Sequence, residues 1–211
     1  MINWANFISQ CFNGLVLGAL LALISSGLTI IYGTLGVLNL AHGAMFMLGG
    51  YAGWMAYSYT GSFIVAVFAG AIFVMIVGVL MERVVIRYFY KRPHEDQLLV
   101  TFGLGIDVYK VFMLVFGIGA MAAGFAGIIN APVVSIAPDV GEPILVHTFV
   151  VVVIGGVGSF LGAVIGGLIA GEIISITSMF NPGYSYVMLF AAMTLVLVLR
   201  PYGLLGAAGR E

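Results

Sequence analysis

GTLGVLNLAHGAMFMLGGYAG, residues Gly33 to Gly53, sets Asn39 and His42 in the middle of a chain that has few other polar side chains. Apolar sequence flanks the stretch on both sides, so it is not a surface loop. Irregular backbone is tolerated at membrane depth only where protein buries it or a cavity opens beside it. An amide or imidazole placed there points to function by default. Two readings of His42 stand: it lines a path for a solute, or it hydrogen-bonds the carbonyl of a neighbouring helix. The glycines and alanines of the stretch let backbones approach closely.

Working outward, hydrophobic residues make up 63% of the 211 and charged residues 7%, and mean hydropathy is +1.21, which leaves no charged shell for a soluble core. The expectation is an all-α polytopic membrane protein. A span takes about 20 apolar residues, which gives roughly six or seven transmembrane helices with glycine-broken segments. Residues 1–211 read as a single membrane domain. MINWANFISQ has no Lys or Arg, so it lacks the basic region of a cleaved signal peptide, and the first span is expected to stay. Cys11 is the one cysteine, which excludes an internal disulfide or a multi-cysteine metal site. No cofactor is expected, and a net charge of -1 argues against nucleic acid as a partner.

The first span is expected from about Cys11 to Tyr32, with Gly14, Gly18 and Ala22 forming a small-residue face for close helix packing. The second continues from Asn39 and His42 to about Tyr57, where Trp54, Tyr57 and Tyr59 suit a membrane interface. The third runs from about Phe63 to Val84. After it, Arg83, Arg87, Lys91 and Arg92 cluster in ERVVIRYFYKRPHEDQ, which the positive-inside rule places in the cytoplasm. LLVTFGLGI, Leu98 to Ile106, reaches only about 14 Å as helix, too short for a core of about 30 Å. The fourth span is expected from about Val111 to Ala131, followed by an outer loop, PVVSIAPDVGEP. HTFVVVVIGGVG, His147 to Gly158, reads as a short crossing or a half-helix, with the crossing favoured because it keeps Arg200 inside. Spans from Ser159 to about Ile176 and from about Tyr184 to Leu199 complete the chain. An external N-terminus with seven crossings then puts every lysine and arginine in the cytoplasm.

Two glycine-rich interruptions fall at comparable places in the two halves, GTLGVLNLAHG and GGVGSFLGAVIGG. Paired breaks of this kind point to a translocation pathway, because broken helices expose backbone dipoles. The candidate pathway residues are Asn39, His42, Gly43, Gly155, Gly156, Gly158 and Ser159. NGLVLGALLALISSGLTIIYG with NLAHG, then ERVVIR, IGGVGSFLGAVIGG and RPYGLLG, resemble the branched-chain amino acid ABC transporter permeases, of the subunit type paired with a second permease. That family also includes permeases for urea and short amides. The resemblance covers nearly the whole chain in the family's order. It implies a bacterial inner-membrane importer subunit working with a second permease, ATP-binding subunits and a periplasmic or lipid-anchored binding protein. It also implies that Asp107 and Lys110 face the ATPase. The chain departs from the family where TFGLGI and GIDVYKV are fused at Gly105-Ile106-Asp107, with two spans and the coupling helix expected between them missing. The chain also has no GxxxxGK[ST] loop of its own.

Two other classes compete. A passive channel built on paired half-helices would show two Asn-Pro-Ala tripeptides, and the one Asn-Pro here, Asn181-Pro182, is followed by Gly183. An intramembrane enzyme would need a nucleophile and base, paired acids or a metal set, and His42 with distant Glu172 is too little. The reading is therefore a permease subunit that catalyses no reaction itself. A truncated form defective in coupling to ATP is its variant.

Overall fold

The computed structural model describes residues 4–89, 108–133, 137 and 139–206. Among these, seven α-helices form and no strand does. They are α1 (Trp4–Leu35), α2 (His42–Thr60), α3 (Phe63–Val84), α4 (Val108–Asn130), α5 (Gly141–Gly155), α6 (Phe160–Phe180) and α7 (Ser185–Leu199). Single 3-10 turns follow α3 at Ile86–Phe89 and precede α7 at Pro182–Tyr184. Five helical stretches are long and apolar enough to cross a membrane: Trp4–Leu35, Phe63–Tyr88, Tyr109–Asn130, Phe160–Phe180 and Pro182–Leu199. The chain is thus a multi-pass membrane protein. α2 and α5 complete the seven. With 15 residues, α5 is only about 22 Å long.

Small residues set the packing. α6 runs antiparallel to α1, with Gly14 against the Glu172 side chain, Gly18 against Leu168 and Gly33 against Gly158. Gly171 and Gly167 complete this seam so closely that a Cβ on either would meet the α1 backbone. α3 lies antiparallel to α4, with Val79 over Gly117 and Val74 over Gly124. The α2 backbone at Gly49 approaches both Gly124 of α4 and Gly70 of α3. Interhelical contact in a bilayer depends on such close approach, because lipid supplies no hydrophobic drive between helices. Ile24, Ile31, Met45, Phe46, Val74 and Phe116 fill the space among α1 to α4, and Leu21, Val151, Ile154 and Leu189 fill that among α1, α5, α6 and α7.

α5 is antiparallel to α6, with Gly155 at Gly162 and Val151 facing Gly166. It is parallel to α7: the His147 ring stacks on Tyr186 near the start of α7, at 4.9 Å between centroids. Past the end of α7, the Leu204 and Leu205 N–H groups donate to the Ile154 and Gly155 carbonyls, both at 2.9 Å. HTFVVVV therefore runs from the Tyr186 level to the Arg200 level.

Several boundaries differ from expectation: α1, α2 and α6 run on to Leu35, Thr60 and Phe180, beyond Tyr32, Tyr57 and Ile176, and three helices start early. α1 starts at Trp4, seven residues before Cys11, because Gln10 is anchored to α6: its Nε2 donates to the Ser175 carbonyl and to Ser178 Oγ, both at 2.7 Å. α4 starts at Val108 instead of near Val111. α5 begins at Gly141, so Gly141, Glu142 and Pro143 leave the expected outer loop and form its first turn, where a proline's missing N–H costs nothing. Asp107, Leu98 to Ile106 and most of the basic loop lie outside the described residues.

Candidate functional site

The first break is a reversal. α1 ends at Leu35, the Gly36 N–H bonds the Tyr32 carbonyl at 2.9 Å, and Gly36 takes φ +64°, a left-handed conformation that suits glycine. The chain then doubles back along α1 in non-helical form, and α2 starts at His42 beside Ile24. Measured along α1, Ile24 is about 17 Å back from Leu35. α2 therefore begins inside the bundle.

Asn39 closes this turn. Its Oδ1 accepts from the Ala41 N–H at 3.1 Å, its carbonyl accepts from the His42 N–H at 3.1 Å, and its Nδ2 rests 3.4 Å from Met45 Sδ. Asn39 is 3% exposed and His42 fully buried. His42 Nε2 lies 2.9 Å from the Ile24 carbonyl. A carbonyl only accepts, so Nε2 donates and carries the ring proton, and of the two readings of His42 the helix-carbonyl bond is the one observed. Nδ1 is left as an acceptor with no partner among the described residues, and the Thr29 hydroxyl on α1 has no partner there either. Leu38 and Leu40 turn outward on either side of Asn39, 49% and 68% exposed. Gly43 meets α5: a Cβ there would collide with the Gly141 carbonyl oxygen.

The second break is the turn between α5 and α6. Gly156 has φ +106° and Gly158 φ +82°, and Gly156 lies against the backbone of Gly203 and Gly206. Ser159 caps α6, its Oγ accepting from the Gly162 N–H at 3.1 Å. Replacing Ser159 by Ala should cost about 1 kcal/mol of stability, the usual value of such a cap, and a thermal unfolding curve in detergent measures it.

The candidate residues thus form two groups. Asn39, His42 and Gly43 sit by the middle of α1 and the start of α5, whereas Gly155, Gly156, Gly158 and Ser159 sit at its end, where Gly33 touches Gly158. From Ile24 to Gly33 is about 14 Å along the helix. Lys110 is exposed in the first turn of α4. Beside it, the Arg87 guanidinium lies 4.4 Å over the Tyr109 ring, joining the end of α3 to the start of α4.

The sequence reading missed a set of buried hydroxyls on α1 and α5. Ser25, Ser26, Thr29 and Thr148 are all buried, Ser25 Oγ lying 3.5 Å from the Thr148 carbonyl. The signal was present as Ser25, Ser26 and Thr29 at i, i+1 and i+4 in an otherwise apolar helix. No group of three or more His, Cys, Asp or Glu side chains that would hold a metal ion occurs among the described residues.

A helix that starts inside a multi-pass bundle is a feature of many membrane transporters. The family described as branched-chain amino acid transport system / permease component matches residues 10–104 and 94–199, and the chain belongs to that family. The high-affinity branched-chain amino acid transport system permease protein LivH of Escherichia coli K12 is 26% identical over 294 aligned positions, covering 95% of this chain and 96% of the relative. LivH of Salmonella typhimurium is 27% identical over the same length, and BraD of Pseudomonas aeruginosa 25% over 295 positions. These alignments are longer than the chain's 211 residues, so the relatives carry residues where this chain has none. No solved structure matches the chain significantly.

Proposed function

We propose that this chain is a membrane permease subunit of an ATP-driven importer for branched-chain amino acids, seated in the bacterial inner membrane. The observation that carries this reading is the family match spanning nearly the whole chain, and relatives named as permease proteins of high-affinity branched-chain amino acid transport systems support it. On this reading the chain moves a solute and catalyses no reaction. ATP is hydrolysed by partner ATP-binding subunits, a second permease completes the pathway, and a binding protein delivers the amino acid. The N-terminus is external, and Arg83, Arg87, Lys110 and Arg200 are cytoplasmic.

Two breaks shape the pathway. Asn39, His42 and Gly43 hold the start of α2 inside the bundle, and Gly155, Gly156, Gly158 and Ser159 form the turn at one end of α1. A helix that starts at depth offers the Gly43 and Ala44 N–H groups of its first turn to a solute carboxylate, since they have no intrahelical partners. A variant reading has coupling to ATP impaired. It is favoured by the aligned length of the relatives and by the two family matches, which overlap at residues 94–104, shortly before Asp107 and Lys110 in the sequence.

The test is reconstitution. Proteoliposomes holding this chain with its second permease, its ATP-binding subunits and its binding protein should accumulate labelled leucine, isoleucine or valine in an ATP-dependent way, and the chain alone should not. Rapid equilibration by the chain alone would replace the permease reading with a channel. ATP hydrolysis without accumulation would support the variant with impaired coupling.

A further inference from the structure

The seam between α1 and α6 carries polar side chains that a lipid-facing surface does not explain. Asn6, Gln10 and Asn13 occupy i, i+4 and i+7 of α1, one face of the helix. Gln10 is spent on the seam, its side chain bonding α6 while its carbonyl accepts from Ser175 Oγ at 2.6 Å. Asn6 and Asn13 are exposed, and their side chains make no hydrogen bond among the described residues. Glu172 of α6 lies in the notch left by Gly14: a Cβ on Gly14 would be 2.8 Å from both its carboxyl carbon and Oε2. The carboxyl is half-buried and accepts no hydrogen bond among the described residues.

Depth makes this arrangement costly. α6 ends at Phe180, so Glu172 lies about 12 Å below that end and about 18 Å above its start, with Asn13 of α1 at the same level. Ionisable side chains this deep in a membrane face protein or water and take partners there. The outward positions that flank Asn13 and Glu172, Phe12, Leu15, Ile165 and Ile169, are apolar, so the polar strip is a local feature.

We infer that the strip formed by Asn13 and Glu172 is the face that docks the second membrane-spanning subunit, through a helix that brings hydrogen-bond donors, an amide or a basic side chain, to the Glu172 carboxyl. Complementarity argues for this occupant: the carboxyl is an acceptor without a donor, the neighbouring amide offers both roles, and hydrocarbon supplies neither. The inference rests on the permease reading and adds to it the surface through which the two permeases meet. Gly14 serves the contact by leaving room for the carboxyl at the surface of the seam.

The assembled transporter in its membrane is the sample, in a Cys11→Ala background. Asn13→Cys carrying a benzophenone maleimide should cross-link, under ultraviolet light, to the second membrane-spanning subunit, identified by mass spectrometry. Ile76→Cys, 54% exposed on α3, should give lipid adducts alone. Glu172→Leu should lower the Asn13 cross-link and the recovered complex several-fold, and Glu172→Gln should retain more of both. The melting temperature of the isolated chain should stay unchanged in both variants. Lipid adducts alone at Asn13 would overturn the inference. So would ready labelling of Asn13→Cys by a charged thiol reagent in the assembled transporter, which would make the strip a wall open to water. A fall in the isolated chain's melting temperature with an unchanged cross-link would also overturn it, since Glu172 would then be part of this chain's own packing. Failure of the wild-type complex to import branched-chain amino acids would count against the transport reading and leave the cross-link result standing.

Discussion

Gly43→Leu is expected to lower uptake by the assembled transporter at least tenfold while leaving the amount of inserted protein within about twofold. The start of α2 and the start of α5 meet backbone to backbone here: a Cβ on Gly43 would collide with the Gly141 carbonyl oxygen and lie 3.0 Å from Leu145 Cβ. A carbonyl cannot rotate away as a side chain does, so the two helices must part. Overpacking of this kind costs about 1–3 kcal/mol, and ~1.4 kcal/mol is a factor of ten. The strain falls on the junction between α2 and α5, not on the long spans that carry insertion. Phe73→Leu, 46% exposed on α3, is the control and should leave uptake unchanged. The measurement is initial uptake rate per mole of transporter, and normal uptake in Gly43→Leu would remove this junction from the transport path.

Gly171→Val should act on folding instead. Its Cβ would collide with the Gly14 carbonyl oxygen and the Gly18 amide nitrogen, two fixed backbone groups in the middle of the α1–α6 seam. The cost is again about 1–3 kcal/mol or more, and a melting temperature falls roughly 2–4 °C per kcal/mol in a chain of this size. Thermal unfolding in detergent should therefore show a drop of several degrees together with lower yield. An unchanged melting temperature would mean that the seam is looser than the glycine contacts imply.

Much of this architecture was legible because hydropathy dominates a membrane chain. α3 at Phe63–Val84 follows from a run of apolar residues between the Gly61-Ser62 turn and Arg83. Ser62 gives a local reason for its start, accepting from the Val65 N–H at 3.4 Å. The break before His42 was visible as polar residues and glycines between apolar runs. The partner of His42 was not, because the Ile24 carbonyl is one of many identical backbone groups and only tertiary packing selects it. The early start of α1 was hidden for the same reason. Asn6 and Gln10 look unsuited to a span until Ser175 and Ser178, 165 and 168 residues away, take up the Gln10 amide. The two glycine breaks of the candidate site were legible, yet their separation along α1 was not, since spacing in sequence does not give depth. The buried hydroxyls of Ser25, Thr29 and Thr148 were not legible because single hydroxyls barely disturb hydropathy.

On the permease reading, the segment from Gly36 to Ala41, which returns into the bundle, borders the path of the solute. Leu40, 68% exposed and next to Asn39, reports on it directly. The measurement is the labelling rate of Leu40→Cys by a small charged thiol reagent in the fully assembled transporter, in a Cys11→Ala background, with and without ATP and a branched-chain amino acid. Labelling should change with ATP and be slowed by the amino acid. A cysteine there that reacts at no stage of the cycle, or at a rate indifferent to solute and ATP, would contradict it.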